Sequence, residues 1–250
     1  MLTFKHKVWI SSLISNTVGV LSREHGSRIL MYHSIGATVD GDIYGIYSMD
    51  EANFSSQMNQ LMEMKDVNVA VLGDEIGNSD DVFISFDDGF RDTYEIAAPI
   101  LRDLEFPFTV FVSPGLLKSN DNRYLDKQSL LELSRINGCY IGTHGYSHCR
   151  LTECSDKKLH EELKDSKAWL EDLLSISVDK MSYPHGAVDQ RVRDAVQSVG
   201  YKIAASSKPG ANTNKSDYLQ LRRTDIWSID DLNIFRQKVN GSWDWMRWFV

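Results

Sequence analysis

The chain has 250 residues, enough for one large domain or two small ones with a full buried core. Hydrophobic residues at 42% and charged residues at 25% are ordinary globular composition and argue against extensive disorder. A net charge of −8 offers no general attraction to phosphate backbones, so nucleic acid is a poor partner and a neutral or cationic one fits better. Cys139, Cys149 and Cys154 are an odd count without CxxC spacing, which points to neither a disulfide framework nor a thiolate zinc cluster. A reduced, cytoplasmic setting is the simpler expectation.

Residues 1–27 read as a basic amphipathic segment ahead of a single domain over 28–250. Lys5, Lys7, Arg23 and Arg28 flank a mixed stretch from Val8 to Leu21 that Ser, Asn and Thr interrupt. It is too short to span a bilayer, no A-x-A cleavage site follows, and a helix packed on the domain is expected. A cleaved signal, and hence export, stays open as the alternative, as does loose membrane-surface contact through residues 1–28.

From Arg28 the predicted elements alternate. The first strand signal is Arg28-Ile-Leu-Met-Tyr-His-Ser-Ile-Gly36, an apolar run followed by Tyr32, His33 and a glycine turn. Asp50 begins a helical pattern through Phe54, Met58, Leu61, Met62 and Lys65 at helical spacing. An acidic loop from Gly73 to Asp80 leads into a strand at Val82–Phe86, which ends in Asp87-Asp88-Gly89. A helix follows from Thr93 to Leu104, then a strand at Phe108–Val112, a helix around Lys127 to Arg135 and a strand at Cys139–Gly142. Ser155 caps a long helix bearing Leu159, Leu163, Leu170 and Leu174. A strand at Asp179–Tyr183, a helix from Asp189 closed by Gly200, and a strand at Tyr201–Ala205 complete the pattern. Strands alternating with helices imply an α/β fold with a parallel sheet, closed or nearly closed into a barrel. His33, Asp87, Asp88, Ser113-Pro114-Gly115, His144, His148 and Pro184-His185-Gly186 all follow strands and should meet at one face.

Two histidines four apart, His144 and His148, can point their imidazoles at one ion. With one carboxylate they leave a coordination position open for water, the pattern of catalytic rather than structural zinc. An HxxxH pair alone is a weak signal, and Asp87-Asp88-Gly89 alone could be a solvated turn.

Three stretches taken together carry more weight. Ile84-Ser-Phe-Asp-Asp-Gly89, His144 to His148 with Leu151, and Ser182-Tyr-Pro-His-Gly186 resemble, in order, the three motifs of the polysaccharide deacetylases, the NodB-homology carbohydrate esterases. Leu30-Met-Tyr-His-Ser-Ile35 resembles members acting on exopolysaccharides or cell-surface sugars. The resemblance implies a distorted (β/α)7 barrel with Asp88, His144 and His148 as metal ligands and Asp87 as general base. The ion it implies is divalent, zinc first, with cobalt, nickel or manganese as alternatives. Only one of two neighbouring carboxylates can face the ion, which leaves the other to take a proton from the attacking water. Tyr183, Pro184 and His185 are expected to border the substrate, a backbone N–H near His185 serving the oxyanion.

The departures from the family pattern raise separate expectations. No histidine follows His185, so the late Leu-x-His acid is missing and His33 is the candidate acid, against a purely structural role in the barrel mouth. Ser182 stands where an arginine commonly orients the base, and Arg222 or Arg223 is expected to replace it, unless both are ordinary surface residues. Gly145 replaces a hydroxyl residue, with a modest effect on metal tuning. His6, His25 and His160 are assigned to the surface. Trp245, Trp248 and Phe249 are read as the buried stripe of a terminal helix, with a sugar platform as the alternative.

The function expected is metal-dependent removal of N-acetyl groups from amino sugars of an acetylated glycan, whether polysaccharide, oligosaccharide or lipid-linked. An O-acetyl esterase of the same mechanism is the first alternative and a catalytically silent carbohydrate-binding protein the second. Specificity is expected in the loops Asp40–Ser48 and Ser119–Asp126.

Overall fold

The structure, a computed structural model, describes residues 4–73, 76–77 and 81–249. Most of the acidic loop expected between Gly73 and Asp80 therefore lies outside the described residues. Two helices, α1 (Phe4–Ser15) and α2 (Val18–Ser22), precede the first strand. Seven parallel strands then form one sheet: β1 (Arg28–Tyr32), β2 (Val82–Phe86), β3 (Phe108–Val112), β4 (Cys139–Thr143), β5 (Lys180–Ser182), β6 (Ile203–Ala205) and β7 (Thr224–Asp225). Their spatial order is β6-β5-β4-β3-β2-β1-β7. The remaining helices are α3 (Glu51–Glu63), α4 (Ala98–Asp103), α5 (Pro114–Leu117), α6 (Lys127–Leu133), α7 (Asp156–Leu174), α8 (Gln190–Val199) and α9 (Leu232–Val239). A π-helical turn over Thr93–Ala97 leads into α4. The fold is the distorted (β/α)7 barrel that the sequence predicts.

Local chemistry explains the element boundaries. The side chains of Asp50, Ser155 and Asp189 each accept a hydrogen bond from a first-turn amide, of Asn53, Lys158 and Val192 respectively. Asp126 and Ser129 cap α6 reciprocally. Gly200, at φ 93°, ends α8 in a left-handed conformation that costs glycine little. Strands β1, β2 and β3 are buried along their whole length, as parallel strands covered by helices must be, which is why they read as unbroken apolar runs.

The edges β6 and β7 meet across a seam held by a few backbone bonds. Ser206 N donates to Leu221 O at 2.8 Å, Leu221 N to Ala204 O at 2.9 Å and Arg223 N to Lys208 O at 2.9 Å. The pleat then sets the polarity of the interior. Ile29, Phe83, Phe111, Ile203 and Leu221 form one buried inner cluster. Two residues further along the same faces come Met31, Ser85, Ser113, Ala205 and Arg223, and two beyond that His33, Asp87 and Asp225. Gly142 lacks a side chain where a Cβ would lie 2.6 Å from the Phe111 ring.

The N-terminal helices pack on the C-terminal end of the chain. Ser12 Oγ donates to Gln237 Oε1 at 3.0 Å and Trp245 Nε1 to Ser15 Oγ at 2.9 Å, while Trp9 and Leu13 face solvent. Among the described residues no helix is long and apolar enough to cross a membrane. The aromatic stripe expected at the C-terminus is corrected. Asp244–Trp248 is a 3-10 turn, too short to present a stripe, and its anchor is the preceding Trp243, with Trp248 60% and Phe249 77% exposed.

Candidate active site

Strand register brings the polar punctuation together. Tyr32 pairs with Phe86 and Val112 with Thr143, so His33 meets Asp87, and Ser113 meets His144, at one end of the sheet. Asp87 N donates to Tyr32 O at 3.0 Å and His144 N to Val112 O at 2.9 Å. The result is a cavity of about 570 Å³ lined by residues that include His33, Asp87, Asp88, His144, His148, Arg223 and Asp225.

Asp87 is held from two sides. Arg223 Nη1 and Nη2 each donate to one of its carboxylate oxygens at 2.7 Å, and Ser182 Oγ donates to Oδ1 at 3.1 Å. Arg223 is itself fixed by donating from Nε to Ser206 O at 2.8 Å. Burial alone would push the Asp87 carboxyl up; the charge of Arg223 and its guanidinium hydrogen bonds win, and hold it well below the usual carboxylate range. Of the two candidate arginines, Arg222 is corrected: its guanidinium turns the other way and donates to Pro209 O at 3.2 Å. Adjacent residues point to opposite faces of extended backbone, so only one of them could face the barrel interior.

Asp88, His144 and His148 offer one donor atom each, all within 4.8 Å of one another. Asp88 Oδ1 lies 3.4 Å from His144 Nε2 and 3.1 Å from His148 Nε2, yet among the described residues it is buried without an aligned hydrogen bond. An orphaned carboxylate oxygen facing two ring nitrogens is the donor set of a divalent ion, and these residues fit one. Burial first, and His148 second, push the His144 ring down to about 4, so it is neutral and able to donate an electron pair at neutral pH. Its Nδ1 contacts Ser182 O at 3.0 Å and Ser182 Oγ at 2.6 Å. An Nδ1–H donor there leaves the Nε2 lone pair toward Asp88. For Asp88 and His148, burial opposes the charged forms, but their mutual contact prevails: the aspartate is lowered and the histidine raised.

The loop between the two histidines rests on a residue that the sequence reading missed. Glu162, fully buried on α7, accepts from Tyr146 N and Ser147 N at 2.8 Å each and from Ser147 Oγ at 2.7 Å, and pairs with Lys158 at 2.9 Å. Gly145, at φ 65°, brings this loop within reach of Pro184 Cγ, 3.1 Å from where a Cβ would sit. Three non-glycine residues at the site are left-handed, Asp88 at φ 72°, His148 at φ 60° and His185 at φ 58°. Such strain persists only where surrounding contacts enforce it. Ser113 Oγ donates to His144 O at 2.5 Å and Gly115 N to Tyr146 O at 2.7 Å, adding to that enforcement.

His33 lines the cavity with its ring against Tyr47, centroids 4.4 Å apart, and its Nδ1 is buried without a hydrogen-bond partner among the described residues. Asp225, a second missed residue, interacts electrostatically with His33; burial pushes its carboxyl up against the pull of His33 and Lys238. Pro184 is buried, and the exposed His185 ring packs on His148 at 4.5 Å between centroids. Tyr183 borders the cavity, but its side chain is buried and its hydroxyl donates to Leu219 O at 2.6 Å. The two loops singled out for specificity are stapled together by Arg123, which donates to Asp40 Oδ1 at 2.7 Å and Oδ2 at 2.8 Å.

A parallel barrel whose mouth gathers an aspartate pair, two histidines and an inward arginine defines the class of barrel-fold carbohydrate esterases. The family model described as polysaccharide deacetylase matches residues 74–204, and the chain belongs to that family. The chain is similar to YxkH of Bacillus subtilis, 24% identical over 205 residues that cover 79% of this chain and 70% of that protein. It is also similar to the poly-beta-1,6-N-acetyl-D-glucosamine N-deacetylase of Staphylococcus aureus, 26% identical over 149 residues, 55% of this chain. The matched stretch spans 51% of that relative's length. Among solved structures, the Streptococcus pyogenes deacetylase PplD in complex with acetate superposes with a TM-score of 0.76 at 21% identity, over 86% of this chain and 98% of that one. IcaB from Ammonifex degensii gives 0.73 at 17% identity, over 88% and 98%. These two likenesses establish the fold.

Proposed function

We propose that the protein is a metal-dependent hydrolase that removes N-acetyl groups from amino sugars of a glycan. The observation that carries this is the convergence of the Asp88, His144 and His148 donor atoms within 4.8 Å, beside a buried, arginine-paired Asp87. The N-deacetylase name of the Staphylococcus aureus relative supports the N-acetyl amino sugar as substrate class.

Asp88, His144 and His148 would hold a divalent ion, zinc being a common occupant of a catalytic site with two histidines, one carboxylate and an open position. When bound, such an ion would supply Lewis acidity to the acetyl carbonyl and lower the pKa of a water molecule toward about 7. Asp87, kept ionised by Arg223, takes a proton from the attacking water. Ser182 and Arg223 occupy the remaining lone pairs of that carboxylate and fix its direction. A backbone N–H at the Pro184–His185 turn stabilises the developing oxyanion. His33, with Asp225 in electrostatic reach, gives the departing amine its proton; without it an amine is a very poor leaving group. Asp42, which lines the cavity, suits the cationic amino sugar that results.

The test is acetate release from a panel of N- and O-acetylated glycans with bound metal measured alongside. His33→Ala should abolish N-acetyl cleavage while sparing acetyl-ester cleavage, because an alkoxide leaves more readily than an amine. N-acetyl activity undiminished in that variant would remove His33 from the mechanism. A wild-type protein that cleaves only esters would reassign the substrate.

A further inference from the structure

Cys149 and Cys154 play no part in the chemistry above, yet their sulfurs lie 3.3 Å apart. Both side chains are half-buried thiols. Five positions apart, they bracket the 3-10 turn Leu151–Glu153. Cys149 directly follows His148, whose backbone is left-handed at φ 60°. Cys154 directly precedes Ser155, the N-cap of α7. The same helix supplies Glu162, which holds the amides of Tyr146 and Ser147. A bond between the sulfurs would close the segment that runs from His148 to the helix supporting it.

We propose that Cys149 and Cys154 are a reversible redox modification site whose disulfide fixes the His148 loop on α7. A disulfide sets its sulfurs about 2.05 Å apart, so from the 3.3 Å contact the bond needs only a short approach of the two sulfurs. The co-reactant is a low-molecular-weight disulfide. One cysteine sulfur attacks it, breaking the reagent's S–S bond and releasing one reagent thiol; the other cysteine then attacks the mixed disulfide and releases the second. The protein loses two S–H bonds and gains one S–S bond, and both electrons and both protons leave on the reagent's thiols. Cys139, at the opposite end of β4 from His144, is the internal control. The bond itself needs nothing from the catalytic reading; only the role of His148 as a metal ligand rests on that reading.

The experiment equilibrates the full chain with oxidised or reduced glutathione and maps tryptic peptides without reduction. Cleavage after Arg150 separates the two cysteines, so the expected product is a linked pair of peptides with Cys139 free. It should disappear in Cys149→Ser and in Cys154→Ser and persist in Cys139→Ser. Amide exchange over residues 146–154 should slow on oxidation of the wild type and stay unchanged in Cys149→Ser. Glutathione adducts without the internal link, or exchange rates indifferent to oxidation, would overturn the proposal. Both readouts work on metal-free protein, so a failure to bind zinc would count against the catalytic reading alone.

Discussion

Replacing Arg223 by methionine tests the proposed base, Asp87, and its partner together, since it deletes the guanidinium while keeping most of the side-chain length. The two side chains are 1% and 3% exposed and meet at 2.7 Å. Deleting one partner of such a buried pair costs about 3–5 kcal/mol, because the other charge is left unpaired. For a chain of this size, each kcal/mol lowers the unfolding temperature by about 2–4 °C, which gives a fall of roughly 6–20 °C at neutral pH. The pH dependence has a definite sign. In the wild type the Asp87 carboxyl is depressed, so its stabilisation is present above the unfolded pKa of about 3.9 and is lost as pH falls through the still lower folded value. In Arg223→Met burial acts with much less opposition and the carboxyl rises; its penalty is then largest at high pH and relaxes on acidification. The gap in unfolding temperature between wild type and variant should therefore narrow from pH 7 toward pH 4. Adding Asp87→Asn should restore part of the lost stability by removing the orphan charge. Thermal unfolding across pH reads all three proteins. An Arg223→Met variant that unfolds with the wild type at every pH, or a double variant no more stable than the single one, would refute the reasoning.

Asp87→Asn should keep the zinc content of the wild type while deacetylation falls by about 10²–10⁴, measured by metal analysis and acetate release. Asp88→Asn should do the reverse to the metal, losing zinc to a chelator that leaves the wild type loaded. Glu162→Ala strands two buried amides and should weaken zinc affinity by about 10–100-fold in competition titrations, with Glu162→Gln closer to wild type. In metal-free protein His148 is raised by Asp88, so that pair stabilises fully below the unfolded histidine pKa of about 6.5 and less as pH rises through the folded value. The unfolding temperature of the metal-free protein should thus drop from pH 6 to pH 8 through this pair, and Asp88→Asn should flatten the slope.

Much of the barrel was legible because its strands are buried on both faces and end in turn residues, so Val82–Phe86 and Phe108–Val112 announce themselves. The caps at Asp50, Ser155 and Asp189 marked helix starts by the same local chemistry that forms them. β7 has only Thr224 and Asp225, too short for periodicity to register. The choice between Arg222 and Arg223 was nonetheless available: Leu221 is the apolar residue of that run, and the pleat puts Arg223 on its face. Glu162 was hidden as one more acid in a charged helix, although it falls on the stripe of Leu159, Leu163 and Ser166 that faces inward. The cysteine pair was invisible because five-residue spacing becomes proximity only once a 3-10 turn folds the chain back. α9 went unread, although Asp231 caps it and Phe235 and Val239 lie on one face.

The seam between β6 and β7 also orders events in time. β7 is the last strand in sequence, yet it docks beside β1, the first. During synthesis β1 to β6 emerge before Arg223 does, so a chain cut off after β6 lacks the guanidinium partner of Asp87. Docking of the final strand beside β1 brings that partner to the carboxylate. Pairing of Asp87 in the candidate active site is thereby tied to completion of the fold, and a chain cut off before β7 is left with that carboxylate unpaired.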